Sequence, residues 1–406
     1  MDTGKTRAIA TIAVAEVLAL SLWFSATAAV PALKAAHGLS DSDASWLTAA
    51  VSLGFVAGTV ISAIFGLADR LEPRKFFMAA ALLGAAANAA VTIAPPGSIE
   101  MILLRVLTGA TIAGLYPTGM KMAASWAKDD MGMLIGLLVG ALALGSALPH
   151  LLVALDLIGH GLDWRIPMLA ASTLAAIAAV LVRFVQLGPT QARASAFRPR
   201  LALNAFTVPA LRLANLGYFG HMWELYAMWA WIGLFLKQSL EVHPGGGGAA
   251  LGATLLTFCV MAAGALGSLF GGWFADRMGR TTLTILALAI SGACCLVAGF
   301  AFAAPLWLLV PLMLIWGFAV VADSAQFSSS IIELSPPDLR GTMLTVQTCT
   351  GFLLTVVTIQ LVAPIQTLFG WEGAFAFLAL GPAVGIVAML RLRAHPDAAK
   401  LAGGRR

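Results

Sequence analysis

Five ionisable residues lie inside runs that are otherwise apolar: Glu16, Arg105, His221, Glu224 and Asp323. A charge at the centre of a bilayer costs at least ~2.5–3.5 kcal/mol on insertion scales, so such groups face a bundle interior or a watery cavity and have work to do there. In "HMWELYAMWAW", the spacing of His221, Glu224, Met228 and Trp231 puts all four on one face of a helix. Glu16 and Trp23, seven residues apart, share a face of the first apolar run. A carboxyl in a low-dielectric space can exchange its charge for a proton. Glu16 and Glu224 are therefore candidate proton carriers, with His221 tuning or sharing the proton. On this reading Glu224→Gln abolishes pH-dependent flux. The structural alternatives are a Glu224–His221 bond bridging helices and a bond from Glu16 to a neighbouring helix.

The same residues outline a substrate cavity. Asp323 heads "DSAQFSSS", in which Asp323, Gln326 and Ser330 share a polar face, and Asp323 suits either a partner for Arg105 or a substrate ligand. Trp23, Tyr116, Trp231, Asp323 and Gln326 are the candidate cavity lining. Aromatic rings beside a carboxylate suit a cation or an aromatic ring. Arg105 and Lys121 suit an anion. The sequence holds both sets, so the charge of the substrate stays open.

Such residues need elements to hold them. The chain has 406 residues, 60% hydrophobic and 11% charged, against roughly 45–50% and about 25% in soluble globular proteins. Apolar runs give twelve candidate helices at 8–30, 45–67, 76–95, 101–122, 132–156, 165–187, 210–237, 249–273, 281–304, 306–333, 342–364 and 373–391. A bilayer core takes about 20 residues of helix. With the N-terminus in the cytoplasm, only Lys34, Arg165 and Lys237 of the 24 Lys and Arg residues fall outside, and Arg105 falls within a span. That asymmetry orients the chain with both termini cytoplasmic. The net charge of +5 is then a matter of topology, with no nucleic-acid partner implied. The four cysteines sit in apolar runs without a CxxC pair and read as packing residues.

The second half repeats the first at a shift of about 207 or 208. Glu16 falls on Glu224, Trp23 on Trp231, "ADR" at 68–70 on "ADR" at 275–277, and Gly109 on Gly317. The first run has this counterpart, is long for a signal peptide and contains Glu16, so it belongs to the mature fold. The expectation is an all-α membrane protein of twelve transmembrane helices in two pseudo-symmetric six-helix halves, 1–187 and 210–406. A polar cytoplasmic linker at 188–209 joins them. Paired repeats with a site between them are the architecture of secondary transporters.

The loop "GWFADRMGR" holds Gly272, Asp276, Arg277, Gly279 and Arg280, and its first-half copy "FGLADRLEPRK" holds Asp69, Arg70, Arg74 and Lys75. Arg105 and Gly109 stand four apart in "RVLTGATIAGLYPTG". On these motifs, and over essentially its whole length, the chain resembles the major facilitator superfamily. The resemblance implies that the two loops form a cytoplasmic gate that latches one conformation, and that Arg105 takes part in proton-coupled movement. Glu333 and Arg340 lie where they would join the gate charges. The first-half loop departs from the pattern at Phe65 and at Glu72-Pro73. The antiporter motif of the fifth helix is incomplete, since Leu148 precedes Pro149 and no Gly pair follows.

No HExxH, GxSxG, GxxxxGK[ST] or metal-spaced His/Cys cluster is present, which weighs against a membrane enzyme and an ATP-driven pump. His37, His150, His160 and His243 are scattered. The function expected is alternating-access transport of a small molecule across the cytoplasmic (inner) membrane, coupled to protons. It needs no cofactor or metal and works as a monomer in the lipid bilayer. A uniporter and a non-transporting sensor of the same fold are the other readings.

Overall fold

The computed structural model describes residues 3–127, 131–159, 163–189, 197–242 and 248–405. Lys128, Asp130, His160, Arg193, His243 and Arg406 lie outside these residues, as does the side chain of Asp69. Among the described residues the structure is helical, with no strand. That is what a bilayer demands, because a helix satisfies its own backbone groups where no water can.

The helices are α1 (Thr3–Leu20), α2 (Ser25–His37), α3 (Asp41–Phe65), α4 (Leu67–Arg70), α5 (Pro73–Ala90), α6 (Ile99–Ile112), α7 (Tyr116–Ala124), α8 (Met131–Gly159) and α9 (Arg165–Val182). They continue with α10 (Asn204–Thr207), α11 (Pro209–Glu241), α12 (Ala249–Met278), α13 (Arg280–Ala298), α14 (Leu306–Ala322), α15 (Ser324–Leu334), α16 (Arg340–Leu378) and α17 (Leu380–Ala394). Among the described residues ten helical stretches are long and apolar enough to cross a membrane. One of these, Arg340–Ala394, turns at Gly370 (φ 69°, ψ −174°) and crosses twice. The left-handed φ is what glycine permits at such a turn. The polar-studded α11 completes twelve spans.

Several starts are legible in local chemistry. Ser40 and Asp43 form a reciprocal capping box at α3. At α5, the Glu72 carboxylate accepts from the N–H groups of Arg74 (3.3 Å) and Lys75 (3.1 Å), with Pro73 in the first turn.

Among the described residues four spans are broken. The first is interrupted between α1 and α2, the fourth between α6 and α7, the tenth at Asp323 and the twelfth at Ala379, between α16 and α17. Pro117 explains the second of these, since it lacks the N–H that would continue the helix. The first break falls in "SLWF", which contains neither Gly nor Pro, and local sequence gives no cause for it.

The two halves meet where α8 runs along α12 and α3 along α16. Within each half the repeat is visible in packing. Gly109 lies against the Val51 backbone, and its counterpart Gly317 lies against the Val260 backbone. Close backbone approach at small residues is how helices associate in a bilayer. Leu83, Val180, Leu266 and Trp307 point outward, each more than half exposed, as a lipid-facing surface requires.

Candidate functional site

Rings from both halves pack together where the halves meet. Trp23, carried on the first break, lies 5.2 Å from Phe55 on α3, 5.4 Å from Tyr226 on α11 and 5.3 Å from Phe352 on α16, centroid to centroid. Phe24 meets Trp229 edge-on at 5.7 Å. The three tyrosines of the chain converge here. Tyr116 on α7 is within electrostatic reach of Glu16 and Tyr218, and Tyr226 of Tyr218 and Tyr116.

Glu16 on α1 is fully buried, and neither carboxyl oxygen has a hydrogen-bond partner among the described residues. It fits because residue 119 is glycine: a Cβ there would collide with the Glu16 carboxyl. Gln347 on α16 is also fully buried with both amide atoms unpartnered. One turn beyond it, Gly351 lies against Tyr218 and Met222. The Trp23 Nε1–H is unpartnered too. Buried polar groups are ordinarily satisfied, and each exception calls for an explanation such as a proton, a water or a ligand.

Arg105 is committed elsewhere. Its Nη1 donates to Leu22 O (3.2 Å), Ser25 Oγ (3.1 Å) and Asn88 Oδ1 (2.6 Å), its Nη2 to Trp23 O (2.6 Å) and its Nε to Leu47 O (3.3 Å). The guanidinium thus satisfies carbonyls that the first break releases and sets where Trp23 stands. Asn88 completes the clamp, accepting also from Ser25 Oγ (2.8 Å) and donating to Met168 O and Ser172 Oγ, both at 3.0 Å.

The structure separates residues that the helical spacing grouped. Glu224 does not bond His221, and its bonding partners all lie in the C-terminal half. It accepts from Trp316 Nε1 (2.6 Å), Ser291 Oγ (2.9 Å) and Cys295 Sγ (3.2 Å). His221 turns instead to the tenth break, with Nε2 2.9 Å from Ser324 Oγ and Nδ1 3.0 Å from Asp323 Oδ1. Asp323 is therefore paired with His221 and not with Arg105. Trp231 donates to Ile359 O (3.0 Å) and stands apart from the ring cluster. Gln326 accepts from Arg280 Nη1 (2.6 Å) at the start of α13 and has no contact with the ring cluster among the described residues. Lys121 donates to Ala68 O (2.5 Å), tying α7 to α4.

The loops that hold the two ADR motifs lie on the face that carries the C-terminal residues. Arg280 forks onto Glu333 at 2.6 and 2.8 Å. Arg340 Nε donates to Ile332 O (3.0 Å). The Asp276 carboxylate sits over Gly132 in the first turn of α8, where a Cβ would come within 3.0 Å of Oδ2. A helix N-terminus favours a carboxylate by ~0.3–1 kcal/mol. Gly272 lets α12 approach Gly136, and Ser268 Oγ donates to Gly136 O (3.0 Å) across the halves. Gly279, at φ 96°, turns α12 into α13. Arg277 stacks over Trp273 at 4.2 Å, Arg70 is exposed, and Arg74 pairs with Glu72 at 2.7 Å. The C-terminal residues fold back over Glu333 and Asp276. Ala398 and Leu401 are fully buried, Ala402 N donates to Glu333 Oε2 (2.9 Å), and the Arg405 guanidinium meets Asp276 O. On the opposite face Ser45 Oγ donates to Gln360 Oε1 (2.8 Å), again across the halves. Contacts between the halves thus occur toward both faces, with the ring cluster between them.

Sequence reasoning passed over Asn88, Gln347, Tyr218 and Phe352. Asn88 and Gln347 are uncharged amides inside apolar runs, and a search for every buried hydrogen-bonding side chain would have found them.

The family model of the Major Facilitator Superfamily matches residues 12–353 and 214–406. The chain is 33% identical over 144 residues to a D-xylose transporter of Levilactobacillus brevis, covering 34% of the chain and 31% of that protein. It is 30% identical over 253 residues to an uncharacterized 38 kDa protein in a 23S RNA operon of Thermoproteus tenax, covering 60% and 61%. The chain thus spans less than two thirds of the length of these curated relatives. Among solved structures it superposes on a D-xylose-proton symporter with TM-score 0.74 and 16% identity, covering 97% of this chain and 98% of that one. It superposes on a proton:xylose symporter bound to 6-bromo-6-deoxy-D-glucose with TM-score 0.69 and 16% identity, covering 95% of each. At that identity the likeness is one of fold.

Proposed function

Since the chain belongs to the Major Facilitator Superfamily, we propose that it is a proton-coupled secondary transporter of a small neutral polar solute, with monosaccharides the first class to test. It moves that solute across the cytoplasmic membrane by alternating access, as a monomer with both termini inside. One observation carries the proton coupling: the Glu16 carboxyl is buried inside the bundle against Gly119, with no hydrogen-bond partner for either oxygen among the described residues. A carboxyl so placed suits a group that binds and releases a proton as the halves rock.

The lining supports the solute class. Tyr116, Tyr218 and Tyr226 offer hydroxyls, Gln347 offers an unpaired donor and acceptor, and Trp23 with Phe352 offers ring faces. Ring walls with a few convergent polar groups are the usual make-up of a small-molecule site. The nearby cation, Arg105, is spent on the first break, which argues against an anion. The names of a curated relative and two solved structures point to the same class.

The test is uptake of labelled D-xylose, and of a panel of other monosaccharides, by proteoliposomes under an imposed inward proton gradient. The expected result is uphill accumulation that an uncoupler abolishes. Glu16→Gln should keep solute exchange and lose accumulation. Accumulation by Glu16→Gln at the wild-type level would remove that residue from the coupling. Flux indifferent to the proton gradient would favour a uniporter, and binding without flux a sensor.

A further inference from the structure

We propose that the groove between α12, α13 and α14 holds one acyl chain of an anionic phospholipid, with the lipid phosphate bound by Arg277. The proposal goes beyond the transport reading and depends on neither the solute nor the proton coupling.

The groove has a volume of about 800 Å³. Phe258 and Phe270 of α12 mark its two ends, and Leu144 of α8 brings the first half into its wall. Among the described residues no polar side chain lines it apart from the Cys259 thiol. Such walls offer no hydrogen bond to the polar solute proposed above, so this is a site for hydrocarbon. The groove exists because its floor is small. α12 presses onto α14 at glycines, with Gly267 on the Phe318 backbone and Gly271 on the Ala322 backbone. Beside that contact Ala262, Ala263, Ala287 and Ala319 leave the space unfilled. Leu266, Phe270 and Ile290 are exposed at the mouth, so the groove opens toward the lipid.

Length and charge select the occupant. Phe258 and Phe270 are 12 residues apart on α12, which is about 18 Å at ~1.5 Å per residue. One leaflet of a ~30 Å hydrocarbon core is about 15 Å deep, so the groove matches the reach of a chain within one leaflet. Nor does the surface stop in hydrocarbon. Cys259, Ala263, Leu266, Phe270, Trp273 and Arg277 recur at alternating steps of four and three, which puts them in one stripe along α12. The stripe leads from the groove to the end of α12 at Met278. Along it the Phe270 and Trp273 rings lie 5.8 Å apart, and the Arg277 guanidinium stands 4.2 Å over the Trp273 ring. Trp273 is more than half exposed, as suits an indole at the membrane–water interface. Arg277 is exposed and donates to Trp273 O (3.1 Å), and no carboxylate pairs with it among the described residues. The adjacent Asp276 carboxylate is turned toward Gly132 of α8, and Arg280 is held by Glu333. A guanidinium in this position offers a phosphate two parallel hydrogen bonds. Hydrocarbon groove, interfacial indole and cation thus follow one another in the order of a phospholipid's own parts.

The experiment adds phosphatidylglycerol or phosphatidylcholine, with identical acyl chains, to full-length detergent-purified protein and counts bound lipid by native mass spectrometry. The expected result is one retained phosphatidylglycerol, favoured about fivefold over phosphatidylcholine, since a basic residue near an anionic headgroup contributes about 1 kcal/mol. Ala263→Phe fills the groove and should lose retention of both lipids. Should that variant fail to fold, Ala263→Leu serves and should weaken both. Arg277→Gln should abolish the preference and leave the acyl chain in place, while Arg277→Lys should keep the preference. Absence of retained lipid in the wild-type protein would overturn the proposal. So would wild-type retention in a groove-filled variant, or an unchanged preference in Arg277→Gln. A lipid-free dimer would assign this face to a second copy of the chain and overturn it as well. Failure of the Glu16 reading appears separately, in the flux assay.

Discussion

Arg105→Lys isolates what the guanidinium does, because it keeps the charge and removes the fork. Arg105 donates to five acceptors: Leu22 O, Trp23 O, Leu47 O, Ser25 Oγ and Asn88 Oδ1. An ammonium has three donors on one atom and cannot span them all. The single O–H of Ser25 can remain with either Leu22 O or Asn88 Oδ1. Trp23 O has no other donor among the described residues, so it is the group left orphaned. An unsatisfied buried carbonyl costs about 1–3 kcal/mol, and that is the destabilisation expected. The assay is thermal unfolding in detergent followed by tryptophan fluorescence, with Arg105→Lys, Asn88→Ala and the double variant compared at one pH. Because the two residues share one network, the double variant should depart from additivity by about 0.5–3 kcal/mol. An Arg105→Lys protein as stable as wild type, or strict additivity with Asn88→Ala, would refute the clamp.

Three further outcomes are expected. Gly119→Ala drives a Cβ into the Glu16 carboxyl. It should cost about 1–3 kcal/mol as overpacking and remove proton-driven accumulation, and normal accumulation in liposomes would mean Glu16 has room to move. Glu224→Gln should spare accumulation and lower stability by about 1–3 kcal/mol, because its three donors lose a charged acceptor; loss of accumulation in a folded variant would return Glu224 to the proton path. At Glu72 burial pushes the carboxyl up. Hydrogen bonds from the Arg74 side chain and from the Lys75 and Arg74 N–H groups outweigh this and hold it below the usual carboxylate range. Its stabilisation is therefore full above about pH 4.3 and is lost as pH falls through the lowered folded value. Glu72→Gln should cost no more than about 1 kcal/mol at neutral pH, given the site's exposure, and thermal melts should show the difference from wild type vanishing in acid. A difference that persists or grows in acid would contradict the cap.

Apolar runs, together with the charged and Gly- or Pro-rich breaks between them, gave the twelve spans, because a bilayer forces each apolar run of sufficient length into helix. The shift that lays Glu16 on Glu224 and Gly109 on Gly317 determined the two halves, since a duplicated chain packs twice in the same way. Gly109 on Val51 and Gly317 on Val260 are that duplication in contact form. That Glu333 and Arg280 lie near one face was legible too, because Glu333 lies near the end of a span and Arg280 starts one.

Partnership was not legible. His221 and Glu224 share a face by spacing, yet α11 is packed on several sides, so small differences in direction give one to α15 and the other to α13 and α14. Nor does "SLWF" announce a break. That break exists because Arg105 and Asn88, from two other spans, offer its freed carbonyls and Ser25 better partners than the lipid would. Gln347 and Gly119 take their meaning only from what lies across from them. Sequence decides which segments enter the membrane, because solvent transfer acts on each segment by itself. Which polar group meets which is decided by the tertiary structure, because within a packed bundle a hydrogen bond depends on both partners arriving at once.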